Sequence, residues 1–223
     1  IERRQRTFEA LQAYFEDLIK AKRANPADDL LSALIAAEDE GNKLNEAELI
    51  STCILILIAG HETTVNLIGN GTLQLMRHPD QLRMLREDPS LIGTAVEELL
   101  RFDPPVQLTA RLALEDIAIG AEGKVLKKGE QGVILIGAVN RDPAQFPDPQ
   151  RLDITRQENR HLSFGMGIHF CLGAPLARME GRIALGQLAA RTKTLELTVD
   201  EPPYKENLTL RGLAALPVRL TAS

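Results

Sequence analysis

The sequence predicts a mainly α fold with a minor antiparallel β region. Three observations carry this expectation. Apolar residues recur at helical spacing through most of residues 1–102. Short β-branched runs, separated by glycine and charged turns, occupy roughly 110–137. One more helical stretch follows Cys171, ahead of strands and turns.

Taken in order, Phe8, Leu11, Phe15, Leu18 and Ile19 form an amphipathic stripe over 8–22. "NPADD" breaks that helix and "DLLSALIAAED" begins a short one. "GNKLNEAE" supplies a turn and a capping box, Asn45 with Glu48, from which a long helix runs to about Arg77. A short helix covers 80–86, and "SLIGTAVEELLRF" makes another, halted by Pro104 and Pro105. "RLALEDIAI", "GKVL" and "GVILIG" read as hairpin strands, and the Pro- and Asp-rich "NRDPAQFPDPQRLDITR" as an ordered meander. The last helix runs to about Ala190, with Leu172, Leu176, Met179 and Ile183 on one face. No repeat, low-complexity tract or clean linker divides the chain.

A chain of 223 residues buries a sizeable core, and 44 % hydrophobic with 26 % charged residues fits a soluble globular protein. A net charge of -5 argues against a nucleic-acid groove. Two cysteines, Cys53 and Cys171, imply no disulfide framework, and the cytosol is the natural compartment. The apolar run "CILILIA" is too short to span a bilayer. The opening "IERRQRTF" already lies within a helical pattern, as expected for the latter part of a longer protein.

Chemistry concentrates in "HLSFGMGIHFCLGAPLAR", residues 161–178. Cys171 stands at the N-terminal edge of a helix, where orphan N–H groups and the positive helix end favour a thiolate. Gly165, Gly167 and Gly173 permit positive φ and a close approach of backbone to something flat or bulky. Phe164 is an apolar cap. A small buried hydrophobe is the plain alternative for Cys171. Structural zinc needs about four ligands, and only His169 and Cys171 are near. A cysteine nucleophile would need His169 as its base. A haem iron needs only one axial thiolate.

Upstream, "ILILIAGHETTVNLIGNG" sets His61, Glu62, Thr63 and Thr64 in an apolar helix. Glu62 is either a surface carboxylate or, with the Thr63 hydroxyl, part of a water-linked proton path. Thr63 bonding back to the Ala59 carbonyl or to a water would loosen the turn, and small Ala59 and Gly60 would let a planar cofactor and O2 approach.

"FGMGIHFCLG" resembles the haem-binding loop of the cytochrome P450 family, Phe-x-x-Gly-x-x-x-Cys-x-Gly, through Phe164, Gly167, Cys171 and Gly173. "AGHETT" at 59–64 resembles the oxygen-activating stretch of the family's central helix, and "EELLR" at 97–101 its Glu-x-x-Arg motif. "FPDPQRLD" is similar to its meander, with Arg151 as the second arginine. One departure is "LKKG", where Lys127 stands at a position that usually holds proline. The resemblance implies a P450 fold, residues 1–223 being the C-terminal part of a single domain of soluble bacterial type.

It further implies haem b on a Cys171 thiolate, with Glu62 and Thr63 as the proton relay and Ala59, Gly60, Phe164, Gly165 and Gly173 against the cofactor. His169 and Arg111 would bind propionates, while the plain alternatives are a loop histidine and a strand-edge arginine. Glu98 and Arg101 would meet Arg151 in a buried network rather than form a solvated pair. Ile58, Val106, Leu108, Thr109, Leu213 and Ala214 would line a pocket for a small-molecule substrate, medium or large in size and mainly hydrophobic. Electrons would come from NAD(P)H through a reductase and a ferredoxin or flavodoxin-type donor, which Arg178 and Arg182 could meet. The expected enzyme is a monomeric, cytoplasmic monooxygenase without membrane span or nucleic acid. A peroxygenase, an oxidative coupling or desaturation enzyme, and a non-catalytic haem sensor stay open as alternatives.

Overall fold

The computed structural model describes residues 2–39, 44–120 and 122–222, so the first residues of the "GNKLNEAE" turn lie outside the described residues. Two compact units divide the chain, Ile1–Glu62 and Thr63–Ser223.

In the first unit α1 (Glu2–Ala24) and α2 (Leu30–Asp39) accompany the first part of α3 (Glu46–Arg77). Phe15, Ile19, Ile35, Leu49, Ile50, Cys53 and Ile54 form their core. The capping box forms as the sequence predicts. Asn45 Oδ1 accepts the Glu48 N–H at 3.0 Å, and Glu48 Oε2 accepts the Asn45 N–H at 2.8 Å. Phe8 departs from its predicted stripe and is 53 % exposed. At 1.5 Å per residue, the 10 residues of α2 are too short to cover the 23 of α1.

The second unit packs the remainder of α3 with α4 (Pro79–Glu87), α5 (Ile92–Phe102) and α7 (Ala174–Arg191). Its core includes Leu67, Leu75, Leu82, Leu85, Val96, Leu99, Leu152, Ile154 and Leu185. Glycine permits the close helix approaches. A Cβ at Gly71 would meet Leu185 at 3.2 Å and Leu99 at 3.3 Å, and one at Gly181 would meet Leu67 at 3.1 Å. The side of α7 that packs inward is not the one bearing its apolar stripe. Ala174, Gly181, Leu185 and Ala189 form the buried side, whereas Leu172, Leu176, Met179 and Ile183 are exposed. Small residues win the core side because they let the helices close.

Among the described residues, the β region holds three two-stranded antiparallel ladders. β1 (Thr109–Leu112) pairs with β4 (Gln131–Ile134), placing Arg111 opposite Gly132. Between them β2 (Ile117–Ile119) and β3 (Lys124–Leu126) form a hairpin. Lys127 donates its N–H to Glu130 at 2.8 Å and its ammonium to Asp116 at 2.8 Å. A proline there would have no N–H to give. Short α6 (Ile136–Val139) leads into the irregular meander, and β5 (Thr192–Leu197) pairs with β6 (Val218–Ala222).

Among the described residues, α3 is the one helix long and apolar enough to cross a membrane by length and composition. Its second part nevertheless behaves as a core helix. Asn66, Asn70 and Gln74 are buried, Asn70 donating to the Arg211 carbonyl at 3.0 Å and Gln74 to Asp103 at 2.8 Å. A hydrocarbon phase offers no such partners.

Candidate functional site

The cysteine loop is anchored before it turns. Asn140, fully buried, accepts the Leu162 N–H at 2.8 Å and donates to Ser163 Oγ at 2.9 Å. Ser163 in turn donates to the Leu100 carbonyl of α5 at 2.7 Å. The chain then bends through Gly165 and Gly167, both at φ 70, a region costly to residues with a Cβ. A 3-10 turn over Gly167–His169 follows. The Cys171 N–H donates to the Phe164 carbonyl at 2.9 Å, closing the loop three residues before α7 begins.

The thiol of Cys171 is free and exposed. Around it Met166, Phe170 and Leu172 are exposed, and Ile168 is 98 % exposed. So dense an apolar surface marks a place that something large and apolar covers. Among the described residues no group of three or more His, Cys, Asp or Glu side chains could hold a metal ion. A metal carrying its own planar donors and needing one axial protein ligand fits this set: one accessible sulfur within an apolar face. The residues therefore fit haem. His169 is exposed on the 3-10 turn. Exposed Arg111 donates to Thr109 Oγ1 at 3.0 Å and to the Ala110 carbonyl at 2.8 Å, along its own strand.

Behind the loop, Glu98 and Arg101 are fully buried. Glu98 accepts from Arg101 Nε at 2.7 Å and Nη2 at 2.8 Å, from Arg156 Nε at 3.1 Å, from Asn159 at 3.1 Å and from the Asp153 N–H at 3.0 Å. The second arginine on Glu98 is thus Arg156, not Arg151. The turn at Asp148, φ 47, leaves the Arg151 side chain exposed and aims its carbonyl at Arg101 Nη2, 3.1 Å away. Arg101 also donates to the carbonyls of Asn140 at 3.0 Å and Pro149 at 2.9 Å.

On α3, Ile58, Ala59 and Gly60 are exposed, and a Cβ on Gly60 would meet nothing within 4 Å. Glu62 and Thr63 are half-buried. The helix runs unbroken through 59–64. Ile58, Ala59, Gly60 and Glu62 lie in the first unit; the remaining candidates lie in the second. There the segment after the double proline meets the C-terminal turn. Val106 bridges Leu210, the Gln107 N–H donates to Thr209 at 2.8 Å and the Arg211 N–H to Pro105 at 2.8 Å. Leu108 and Thr109 are half-buried beside them. Leu213 is half-buried, 3.9 Å from where a Cβ on Gly69 would stand, and Ala214 is exposed.

The cytochrome P450 family model matches residues 1–220. The chain belongs to the cytochrome P450 family. It is 51 % identical over 214 residues to a vitamin D(3) 25-hydroxylase of Pseudonocardia autotrophica, covering 94 % of this chain and 53 % of that one. Identity to the biotin biosynthesis cytochrome P450 of Bacillus subtilis is 51 % over 206 residues, 92 % of this chain and 51 % of the relative. The structure of the tirandamycin C-bound P450 monooxygenase TamI superposes with a TM-score of 0.91 at 45 % identity, covering 96 % of this chain and 54 % of that one. The chain therefore spans about half the length of the curated relatives it matches.

Several residues of this P450 chain escaped the sequence reading. Asn140 and Ser163 pin the loop, Arg156 completes the Glu98 cluster, and Asn66 packs so tightly that a Cβ on Gly212 would fall 1.9 Å from its Oδ1. Glu97, beside the Glu-x-x-Arg pair, accepts both Arg178 and His161. Burial pushes its carboxyl up, but those two donors outweigh burial and hold it at about 2. Only the doubled glutamate in "EELLR" hinted at this second role.

Proposed function

We propose that the protein to which this chain belongs is a haem-thiolate monooxygenase, with residues 1–223 forming the C-terminal part of a single P450 domain. One observation carries the reading: an accessible Cys171 thiol three residues ahead of α7, in a glycine-bent loop surrounded by exposed apolar side chains. Haem held by a thiolate supplies oxygen activation and substrate oxidation.

The chain's own side chains do the rest. Cys171 would ligate the haem iron; Phe164, Gly165 and Gly173, and on α3 Ala59 and Gly60, would contact the cofactor; His169 and Arg111 would hold its carboxylates. Glu62 and the Thr63 hydroxyl would hold and pass protons for the oxygen chemistry that haem would supply. The Glu98 cluster, with Arg101 and Arg156, holds the loop in register. In the second unit Val106, Leu108, Thr109, Leu213 and Ala214 would offer a substrate mostly apolar area and a few polar handles, and in the first unit Ile58 would offer apolar area.

Such surfaces suit a medium or large hydrophobic substrate for hydroxylation or epoxidation. Relatives named for vitamin D(3) 25-hydroxylation and 6-deoxyerythronolide B hydroxylation support that class. A relative whose solved structure is described for C–S bond formation keeps oxidative coupling as the second reading. Electrons would pass from NAD(P)H through a reductase and a ferredoxin or flavodoxin-type carrier to a monomeric cytoplasmic enzyme.

The test is the ferrous CO spectrum of the full-length protein. Thiolate ligation gives the red-shifted Soret band, and Cys171→Ser should abolish it together with substrate oxidation. A blue-shifted band in folded wild-type protein would exclude the thiolate. In Thr63→Ala, NADPH consumption should continue while product per NADPH falls and H2O2 rises; unchanged coupling would remove Thr63 from the relay.

A further inference from the structure

Adjacent glutamates on α5 serve two different neighbours. Successive helical residues point about 100° apart, so Glu98 faces the meander while Glu97 faces the cysteine loop and α7. Arg178 donates to Glu97 through Nε at 2.7 Å and Nη2 at 2.9 Å, a bidentate pair. His161 Nε2 lies 3.2 Å from the same carboxylate. Its Nδ1 accepts the Ser163 N–H at 3.2 Å, so Nε2 bears the proton and a neutral imidazole satisfies Glu97.

Arg178 is also part of the loop. Its guanidinium sits 4.5 Å over the Phe164 ring, and the Phe164 carbonyl holds the Cys171 N–H at 2.9 Å. The ring lies 6.0 Å from His161 and 6.4 Å from Phe170. Glu97 and Arg178 side chains are 23 % and 29 % exposed, so solvent screens the pair only partly. Arginine does not lose its proton, so the local charge is balanced only while Glu97 is present. The Arg178 proton is held more tightly than usual, chiefly by its bond to Glu97, with burial opposing.

We propose that Glu97 and Arg178 are positioning residues that fix Phe164 over the cysteine loop and balance the charge beside Cys171, thereby setting the reduction potential of the bound haem. This rests on the haem-thiolate reading. An unbalanced cation near the sulfur favours the added electron; an unbalanced anion opposes it.

The test is the midpoint potential of the full-length holoenzyme, measured spectroelectrochemically alongside the ferrous CO spectrum. Glu97→Gln should raise the potential, Arg178→Gln should lower it, and the double variant should return close to wild type. A merely structural brace would instead move both single variants the same way and convert both to the blue-shifted CO form. Unchanged potentials, or shifts of one sign, overturn the proposal. If Glu97→Gln fails to retain haem, Arg178→Lys supplies the reading: it keeps the charge without the fork and should hold the wild-type potential, and a shift there overturns charge balance. A wild-type protein without the red-shifted CO band would refute the haem-thiolate reading itself, a separate outcome.

Discussion

Glu98→Ala removes the acceptor around which the meander closes. Five hydrogen bonds end on that carboxylate, from Arg101 twice, Arg156, Asn159 and the Asp153 N–H. Arg101 keeps its bonds to the carbonyls of Asn140, Pro149 and Arg151, but its Nε and one Nη2 proton lose their acceptor. Neither side chain of the pair reaches solvent, both being 0 % exposed, so water cannot replace the lost charge. Breaking a buried pair in this way costs about 3–5 kcal/mol, a large part of a typical stability of about 5–15 kcal/mol. With an m-value of about 3 kcal/mol/M, the urea midpoint should fall by about 1–2 M. The assay is urea unfolding of the full-length protein followed by far-UV circular dichroism, with Glu87→Ala as control. Glu87 pairs with Arg83 at 3.9 Å with both side chains 71 % exposed, and its loss should cost less than about 1 kcal/mol. A Glu98→Ala midpoint no lower than that of the control would refute the buried-charge argument.

Two glycines should respond oppositely to the same substitution. Gly212→Ala would place its Cβ 1.9 Å from Asn66 Oδ1, so thermal unfolding should show a loss of about 1–3 kcal/mol from overpacking. Gly60→Ala meets nothing within 4 Å and should stabilise α3 in the cofactor-free protein by about 0.5–1 kcal/mol, while haem binding should weaken if this face receives the cofactor. The Glu97 carboxyl is held below its ordinary 4.5, at about 2. Its contribution to stability is therefore complete above the unfolded value and lost as pH falls through about 2. Subtracting the Glu97→Gln stability profile from the wild-type one between pH 6 and pH 2 should show this decline, and a flat difference would contradict it.

Elements governed by neighbours in the chain were legible in advance. The capping box at Asn45 and Glu48, the proline stop after Phe102 and the glycine-bent loop before Cys171 depend on side chains within a few residues of their own backbone, so the order of amino acids determines them. The ordered P450 motifs were legible for the same reason: each is a local run.

What spacing left undecided was which side of an element meets the core and which distant partner meets a charge. In α7 the predicted apolar face is exposed while Gly181 lies against Leu67 and Val96. Helix packing rewards close approach as well as apolarity, and the partner's shape is not written in the helix's own period. Several arginines near the meander carry the same charge, so composition could not separate Arg151 from Arg156. The turn at Asp148 did so, by presenting the carbonyl of one and returning the guanidinium of the other. Glu97 and Arg178 are 81 residues apart in the chain, and a charge pair at that separation is fixed only when the fold brings α5 and α7 together.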